Sequence, residues 1–307
     1  MYKFKTIMVA LDLSRMDEKL LSYTAEMCAV VKPSKIYFVN IQANLDLDDE
    51  VKELLGNDGQ PMDEFCENKM KTTVAQFFPS HTDYDIDYEI VEGNPAEEIL
   101  RWTKMKDTDL LVMGRKNQSK GGITPQQVSS KVKCSVLIVP EFAQTFSLNN
   151  IFVPVDFSNY SKEALEEALY IDQNHPSDTT ITCGHIYELP LGYEKSGKSA
   201  KEFASIMEKN ASKKCTEFID SIPYETNQVT VVYNLNEEGD LANTINEVAH
   251  DKRANLIIMG AKGRTMGSHL FLGSVTEKLI KYDSDIPLLI AKDKSKTFDF
   301  WEMIKSL

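Results

Sequence analysis

The sequence predicts an α/β protein made of two tandem domains, each a five-stranded, mainly parallel sheet flanked by helices. Three observations predict it. Short apolar runs alternate with longer amphipathic stretches, the pattern of βα units around a parallel sheet. Segments of the first half recur in the second half in the same order. A chain of 307 residues has room for about two domains of ordinary size, each able to bury a core without disulfides or metal.

The repeat is legible at three places. Lys5 to Ser14 (KTIMVALDLS) matches Asn150 to Ser158 (NIFVPVDFS), and both runs end in Asp-x-Ser. Gly93 to Ile99 matches Gly239 to Ile245, and Asp109 to Gly114 matches Asn255 to Gly260. The offset stays at 144 to 146 residues. Chance similarity between buried strands accounts for any one match, but not for three in order.

In the first copy, apolar runs predict strands near 6–11, 35–41, 85–91, 109–114 and 135–140. Apolar residues three and four apart predict helices near 19–31, 62–78, 95–105 and 126–133. The second copy repeats this with strands near 150–155, 179–187, 228–233, 255–260 and 286–291. Its helices are predicted near 161–173, 200–219, 241–250 and 274–282, the first of them capped by the hydroxyl of Ser161. The domains are expected to span 1–143 and 148–293, joined by a short polar linker within Pro140 to Asn149. A tail, 294–307, carries Phe298, Phe300 and Trp301, enough aromatic surface to pack on the domain or on a partner. The acidic stretch Asp46 to Glu50 reads as a solvated loop or helix start rather than a metal site.

Composition narrows the function classes. With 42% hydrophobic and 26% charged residues, the chain has the balance of a soluble globular protein. No apolar run reaches the roughly 18 to 20 residues that span a bilayer, so no membrane association is expected. Residues Met1 to Thr6 enter a β-like run without a charged-then-apolar signal segment, which predicts a cytoplasmic location. A formal charge of −13 opposes binding to nucleic acid, whose phosphates are held mainly by Lys and Arg. Cys28, Cys66, Cys134, Cys183 and Cys215 are odd in number and widely spaced, so they read as core fillers or exposed thiols, not as a disulfide or zinc framework.

The chemistry concentrates in the second copy, at the carboxyl ends of its strands, where parallel α/β sheets gather their ligands. The predicted fourth strand runs straight into Gly260-Ala-Lys-Gly263, whose glycines let backbone N–H groups approach a polyanion. Nine residues on, Gly273-Ser274 opens a helix whose positive end and hydroxyl can face the same phosphates. Asp156, just past the first strand, is suited to a ribose, an adenine amino group or a magnesium ion, or else to an Asx turn at the next helix. Lys262, Arg264 and His269 lie in the loop as candidate phosphate cations or as solvated side chains.

These motifs resemble those of tandem members of the universal stress protein family, over nearly the whole chain. Gly260-x-x-Gly263-(nine residues)-Gly273-Ser274 fits that family's ATP-binding signature G-2x-G-9x-G-(S/T), and Pro154 to Ser158 resembles its first-strand exit. The resemblance implies Rossmann-like, adenine nucleotide alpha hydrolase-like domains. It implies that Val155 and Asp156 face the nucleoside and Ile186 contacts adenine. It further implies that Met259, Gly260, Gly263, Arg264, Gly273, Ser274, Val275 and Thr276 line the ribose and phosphates. ATP, or ADP or AMP, is the implied ligand, with Mg accompanying ATP through Asp156. Pairing of the two domains through their last strands, Ser135 to Val139 and Pro287 to Ala291, is implied as an intramolecular pseudo-dimer, and a homodimer of whole chains stays open. The first copy departs from the signature: Asn117 and Gln126-Gln127 stand where the second copy has glycines and Ser274, with one residue fewer between, so its site is expected to be degenerate despite Gly121 and Gly122.

The functional expectation is a stress-response binding and regulatory module that holds ATP in its second domain. No catalytic triad is assignable, and the loop is not the G-x-x-x-x-G-K-(S/T) of motor ATPases. Two alternatives remain: slow ATP hydrolysis or autophosphorylation with Ser274 or Thr276 as acceptor, and a scaffold that binds no nucleotide.

Overall fold

The structure is a computed structural model that describes residues 4–57, 59–79, 83–116, 125–143, 147–175, 179–226, 228–263, 272–282 and 284–294. The chain divides into two compact units. One holds the residues up to 146 with the described start of the C-terminal stretch, Asp293 and Lys294; the other holds residues 147–292.

The first unit runs β1 (Thr6–Leu11), α1 (Met16–Val31), β2 (Lys35–Gln42), α2 (Asp49–Leu54), α3 (Met62–Val74), β3 (Asp85–Glu92), α4 (Pro95–Met105), β4 (Leu110–Arg115), α5 (Pro125–Ser129) and β5 (Ser135–Pro140). Its strands lie in the order β3-β2-β1-β4-β5, all pairings parallel. The second unit runs β6 (Asn150–Pro154), α6 (Asn159–Asn174), β7 (Thr180–Tyr187), a 3-10 turn (Tyr193–Ser196), α7 (Ala200–Asp220), β8 (Val229–Leu235), α8 (Leu241–Asp251), β9 (Leu256–Gly260), α9 (Ser274–Lys281) and β10 (Leu288–Ala291). Its order, β8-β7-β6-β9-β10, is the same topology, again parallel. Each unit is therefore an α/β sheet flanked by helices, as the alternating pattern predicts.

The inner strands are buried on both faces, which is why their sequences read as unbroken apolar runs rather than as alternation. Ile7, Met8 and Val9 of β1, Leu110 to Val112 of β4, and Ile151 to Val153 of β6 are all fully buried. All five cysteines lie among these core residues as free thiols. Among the described residues no helix is long and apolar enough to cross a membrane.

The repeat extends to the helix caps. Asn94 accepts the N–H groups of Ala96 and Glu97 at the start of α4, and Asp240 accepts those of Ala242 and Asn243 at the start of α8. The glycine before each cap, Gly93 and Gly239, has a positive φ (147° and 73°), which suits a residue without Cβ.

Several boundaries differ from the sequence expectation. Helix α6 starts at Asn159 with Ser158 as its cap, accepting the Ser161 N–H at 3.2 Å. Ser161 is not the cap; its own hydroxyl donates to the Ser158 carbonyl at 3.0 Å. Helix α5 covers only Pro125–Ser129, because Lys131 and Val132 both turn back to the Val128 carbonyl. Helix α3 ends at Val74. The acidic stretch opens α2 at Asp49. Helix α7 begins with a complete capping box, Ser199 and Glu202. At the start of the tail Lys294 ion-pairs with Asp107 (2.8 Å) and Asp109 (2.7 Å); Phe298, Phe300 and Trp301 lie outside the described residues.

Candidate functional site

Strand order reverses between β6 and β9, which pair directly, so the loops leaving their carboxyl ends meet at a topological switch point. One loop is the Asp-x-Ser turn. Asp156 Oδ1 accepts the Ser158 N–H at 3.0 Å, an Asx turn that hands over to the Ser158 cap of α6. The residue between them, Phe157, sits at φ 65°, a left-handed conformation disfavoured for a side chain of its size. The first unit builds the same turn: Asp12 Oδ1 accepts from Ser14 N–H at 3.2 Å, and Leu13 has φ 60°.

The second loop follows β9, and its glycines do different jobs. A Cβ on Gly260 would lie 2.5 Å from the Tyr160 carbonyl oxygen, so this glycine lets the start of α6 rest on the strand. A Cβ on Gly263 would lie 3.0 Å from Asp156 Oδ2. One on Gly273 would meet Lys262 Cα at 3.3 Å and Gly263 N at 3.6 Å. The Gly273 N–H donates to the Ala261 carbonyl at 2.8 Å, fastening the two ends of the loop together. Gly273 is the N-cap of α9 and offers no side-chain acceptor, so first-turn N–H groups of that helix are left for other partners.

The remaining residues of the expected set fall into three groups. Ser274 is exposed at the first position of α9, and Val275 is half-buried beside it. Thr276 is 2% exposed, and its hydroxyl donates to the Gly260 carbonyl at 3.2 Å, so it braces the loop, leaving Ser274 as the exposed hydroxyl. Val155 and Met259 are buried; the Val155 N–H donates to Gly184 O, and its carbonyl accepts from His185 Nδ1, each at 2.9 Å. Arg264 and His269 lie outside the described residues, as do Asn117, Gly121 and Gly122 of the first copy.

Lys262 is 8% exposed, and its ammonium has no hydrogen-bonding partner among the described residues. Burial holds its pKa below the ordinary lysine value. The lysine at the matching place in the first unit, Lys116, ion-pairs with Asp12. Burial raises the Asp12 pKa, but its hydrogen bonds to Lys116 and Ser14 outweigh that and leave it below the usual value. Beneath that turn Asp17, 3% exposed, accepts the N–H groups of Asp12 (3.1 Å) and Leu13 (2.7 Å), and burial pushes its pKa up to about 6. Ser161 stands at the corresponding position of the second unit. The two copies thus differ in charge at the same turn.

A cavity of about 530 Å³ opens beside this region in the second unit, between the carboxyl end of β7 and the middle of α7. Phe157 and His185 form one wall, with ring centroids 4.4 Å apart, and Met207 and Ala211 of α7 form another. Glu188 and Lys214 supply charge. Among the described residues of the expected set, Ile186 lines it. Sequence reasoning did not single out Phe157, Glu188 or Asp17; a hint for Phe157 lay in the repeat, where its partner is aliphatic Leu13. Among the described residues no group of three or more His, Cys, Asp or Glu could hold a metal ion.

Comparison with known proteins agrees with this architecture. The model of the Universal stress protein family matches residues 3–140 and again 148–292. Universal stress protein MJ0577 of Methanocaldococcus jannaschii is 29% identical over 164 residues, covering 47% of this chain and 95% of that protein. A universal stress protein structure from Archaeoglobus fulgidus, 18% identical, covers 94% of this chain and 96% of its own, with a TM-score of 0.57. The functionally unknown protein PA1789 of Pseudomonas aeruginosa, 12% identical, covers 99% and 98% with a TM-score of 0.63. At such identities both structures speak for the fold alone.

Proposed function

Since the chain belongs to the universal stress protein family through both of its halves, we propose that its second domain binds an adenine nucleotide, ATP foremost, and that occupancy of this site regulates how the protein meets its partners under stress. The observation that carries this reading is the meeting of Asp156, Gly263 and the uncapped start of α9 at the switch point, with backbone where side chains would otherwise stand. The residues suit a polyphosphate in two further ways. A Cβ at Gly263 would intrude on the carboxylate, so the loop is shaped for close approach. The buried ammonium of Lys262 has no partner among the described residues, and a phosphate would supply one.

In this reading Gly263, Gly273 and Ser274 hold the phosphates through N–H and hydroxyl groups, and Asp156 would be the carboxylate that holds a magnesium ion accompanying them. When bound, the magnesium ion neutralises phosphate charge. ADP or AMP would use the same cradle with fewer contacts. The first domain, with Lys116 already paired to Asp12, serves as the built-in partner of the second. Duplication supports that assignment, because fusing two copies makes a family-type dimer intramolecular. Whole chains dimerising further is compatible with the same reading.

The test is to release ligand from the purified protein with acid and identify it by mass, then to titrate the stripped protein with ATP, ADP and AMP by calorimetry. Bound or titratable adenine nucleotide supports the reading; absence of both sinks it.

A further inference from the structure

The C-terminal stretch returns to the first unit at a defined corner. Lys294 stands shortly after Ala291, the end of β10, yet its ammonium ion-pairs with Asp107 (2.8 Å) and Asp109 (2.7 Å) and donates to the carbonyls of Asp107 (2.7 Å) and Thr108 (3.4 Å). The other oxygen of Asp109 accepts the N–H groups of Lys5 and Thr6, each at 2.9 Å, so one carboxylate fastens Lys294 to the start of β1. Burial by itself would lower the Lys294 pKa; hydrogen bonds to Asp107 and Asp109 outweigh it and hold it above the ordinary value, so the latch is charged at neutral pH.

The repeat shows this corner tied down in both units by different means. In the second unit the side-chain amide of Asn150 donates to the carbonyls of Lys252 (2.6 Å) and Arg253 (3.0 Å). Thr6 stands at the place of Asn150 in the first unit, and Lys294 supplies the donor instead. The stretch after β10 thus completes the first unit.

Beside the latch, α4 exposes apolar surface. Met105, close before Asp107, is 55% exposed, and Trp102, one turn back on the same side of the helix, is half-buried. The Trp102 indole N–H is buried without an acceptor among the described residues. In the second unit Asp251 stands at the place of Met105 and buried Val248 at that of Trp102, so the shared fold does not call for this surface.

The sequence that follows Lys294 fits it. Residues 295–307 lie outside the described residues and read SKTFDFWEMIKSL. At helical spacing Phe300, Trp301, Met303, Ile304 and Leu307 fall on one face and Glu302, Lys305 and Ser306 on the other, with Asp299 placed to cap the first turn. So short a helix is marginal alone in water and needs a surface to form against. The chain from Lys294 to Phe300 spans up to roughly 20 Å when extended, which brings α4 within its reach.

We propose that residues 295–307 dock as an amphipathic helix on α4 of the first unit, with Phe300, Trp301 and Ile304 covering Met105 and Trp102 and with Lys294 as the latch that sets the helix in place. The docking is independent of the nucleotide reading.

The chain has two tryptophans, one on each side of the expected contact. In Trp102→Phe the remaining Trp301 should emit to the blue of the urea-unfolded protein and be shielded from iodide. Met105→Asp or Lys294→Glu, added to that background, should return both readings to their unfolded values. The converse arm reads Trp102: its emission in full-length Trp301→Phe should lie to the blue of that in the chain cut back to Lys294, and iodide should quench it less. This arm decides should Trp102→Phe fail to fold, as circular dichroism would show, and equal readings in its two proteins overturn the proposal. Trp301 open to iodide in the folded chain overturns it as well. So does shelter that survives either substitution, because the segment then lies elsewhere, and shelter that fades on dilution, because a second copy then supplies it.

Discussion

Asp156 and Gly263 face each other so closely that a Cβ at position 263 would stand 3.0 Å from the carboxylate Oδ2. Gly263 is half-buried and its φ is not in the left-handed region, so a larger residue is opposed by the space beside Asp156 and not by the backbone. Gly263→Val should therefore fold, losing no more than about 1–2 kcal/mol, while ATP affinity falls at least about tenfold. Thermal melting and calorimetric titration of the same sample check both halves.

Gly260 behaves differently. An added Cβ meets the Tyr160 backbone at 2.5–2.6 Å, and backbone has no rotamer with which to retreat. Gly260→Ala should cost about 3 kcal/mol or slightly more in urea unfolding, the upper end of overpacking. Gly114→Ala, whose Cβ would meet the flexible Met16 side chain at 3.0–3.1 Å, should cost less than half of that.

Lys262→Met should stabilise the nucleotide-free protein by about 1–3 kcal/mol, because it removes a buried ammonium that has no partner among the described residues. ATP affinity should drop in the same variant. The sign with pH follows from the lowered lysine pKa: the folded state releases its proton first, so wild-type stability rises with pH between that lowered value and 10.5. The variant should lack this rise, as denaturation midpoints across alkaline pH would show.

Asp17 gives the opposite dependence. Its folded pKa, about 6, lies above the 3.8 of an unperturbed aspartate, so the folded state binds the proton more tightly. The energetic penalty is fully present above pH 6 and vanishes below pH 3.8. Relative to Asp17→Asn, the wild type should gain up to about 3 kcal/mol as pH falls through this window. Parallel urea curves for the two proteins from neutral to acid pH measure it.

The first copy should be silent toward nucleotide. Gln127→Ala, on the short helix α5, should leave the ATP affinity within about twofold of wild type, whereas Ser274→Ala should reduce it by about 1 kcal/mol or more. Equal losses in both variants, measured by calorimetry, would relocate the site.

The strands and most helices were legible because unbroken apolar runs and amphipathic stretches alternate along both halves; the order of the strands was not. What local spacing could not show was the use made of each residue. Ser158 and Ser161 both offer hydroxyls at the start of α6; only the extended backbone of Ser158, φ −80° and ψ 165°, makes it the cap. The motif glycines were legible as a group, but the contact of Gly260 with Tyr160 joins residues 100 positions apart and has no sequence signature. Thr276 was grouped with the ligand residues by its place in the signature, while its hydroxyl is bound to Gly260. Glu188 and Asp17 are single carboxylates whose meaning comes from Asn236 and from the turn N–H groups brought to them by folding.

The seating of the Tyr160 backbone directly on Gly260 has a mechanical consequence. Where two elements touch through side chains, small displacements are absorbed by rotamer changes; here nothing compressible separates them. A shift of the β9 end is handed undiminished to the first turn of α6, and Thr276 ties the head of α9 to the same point. The glycine works as a rigid bearing through which a load on the loop reaches two helices at once.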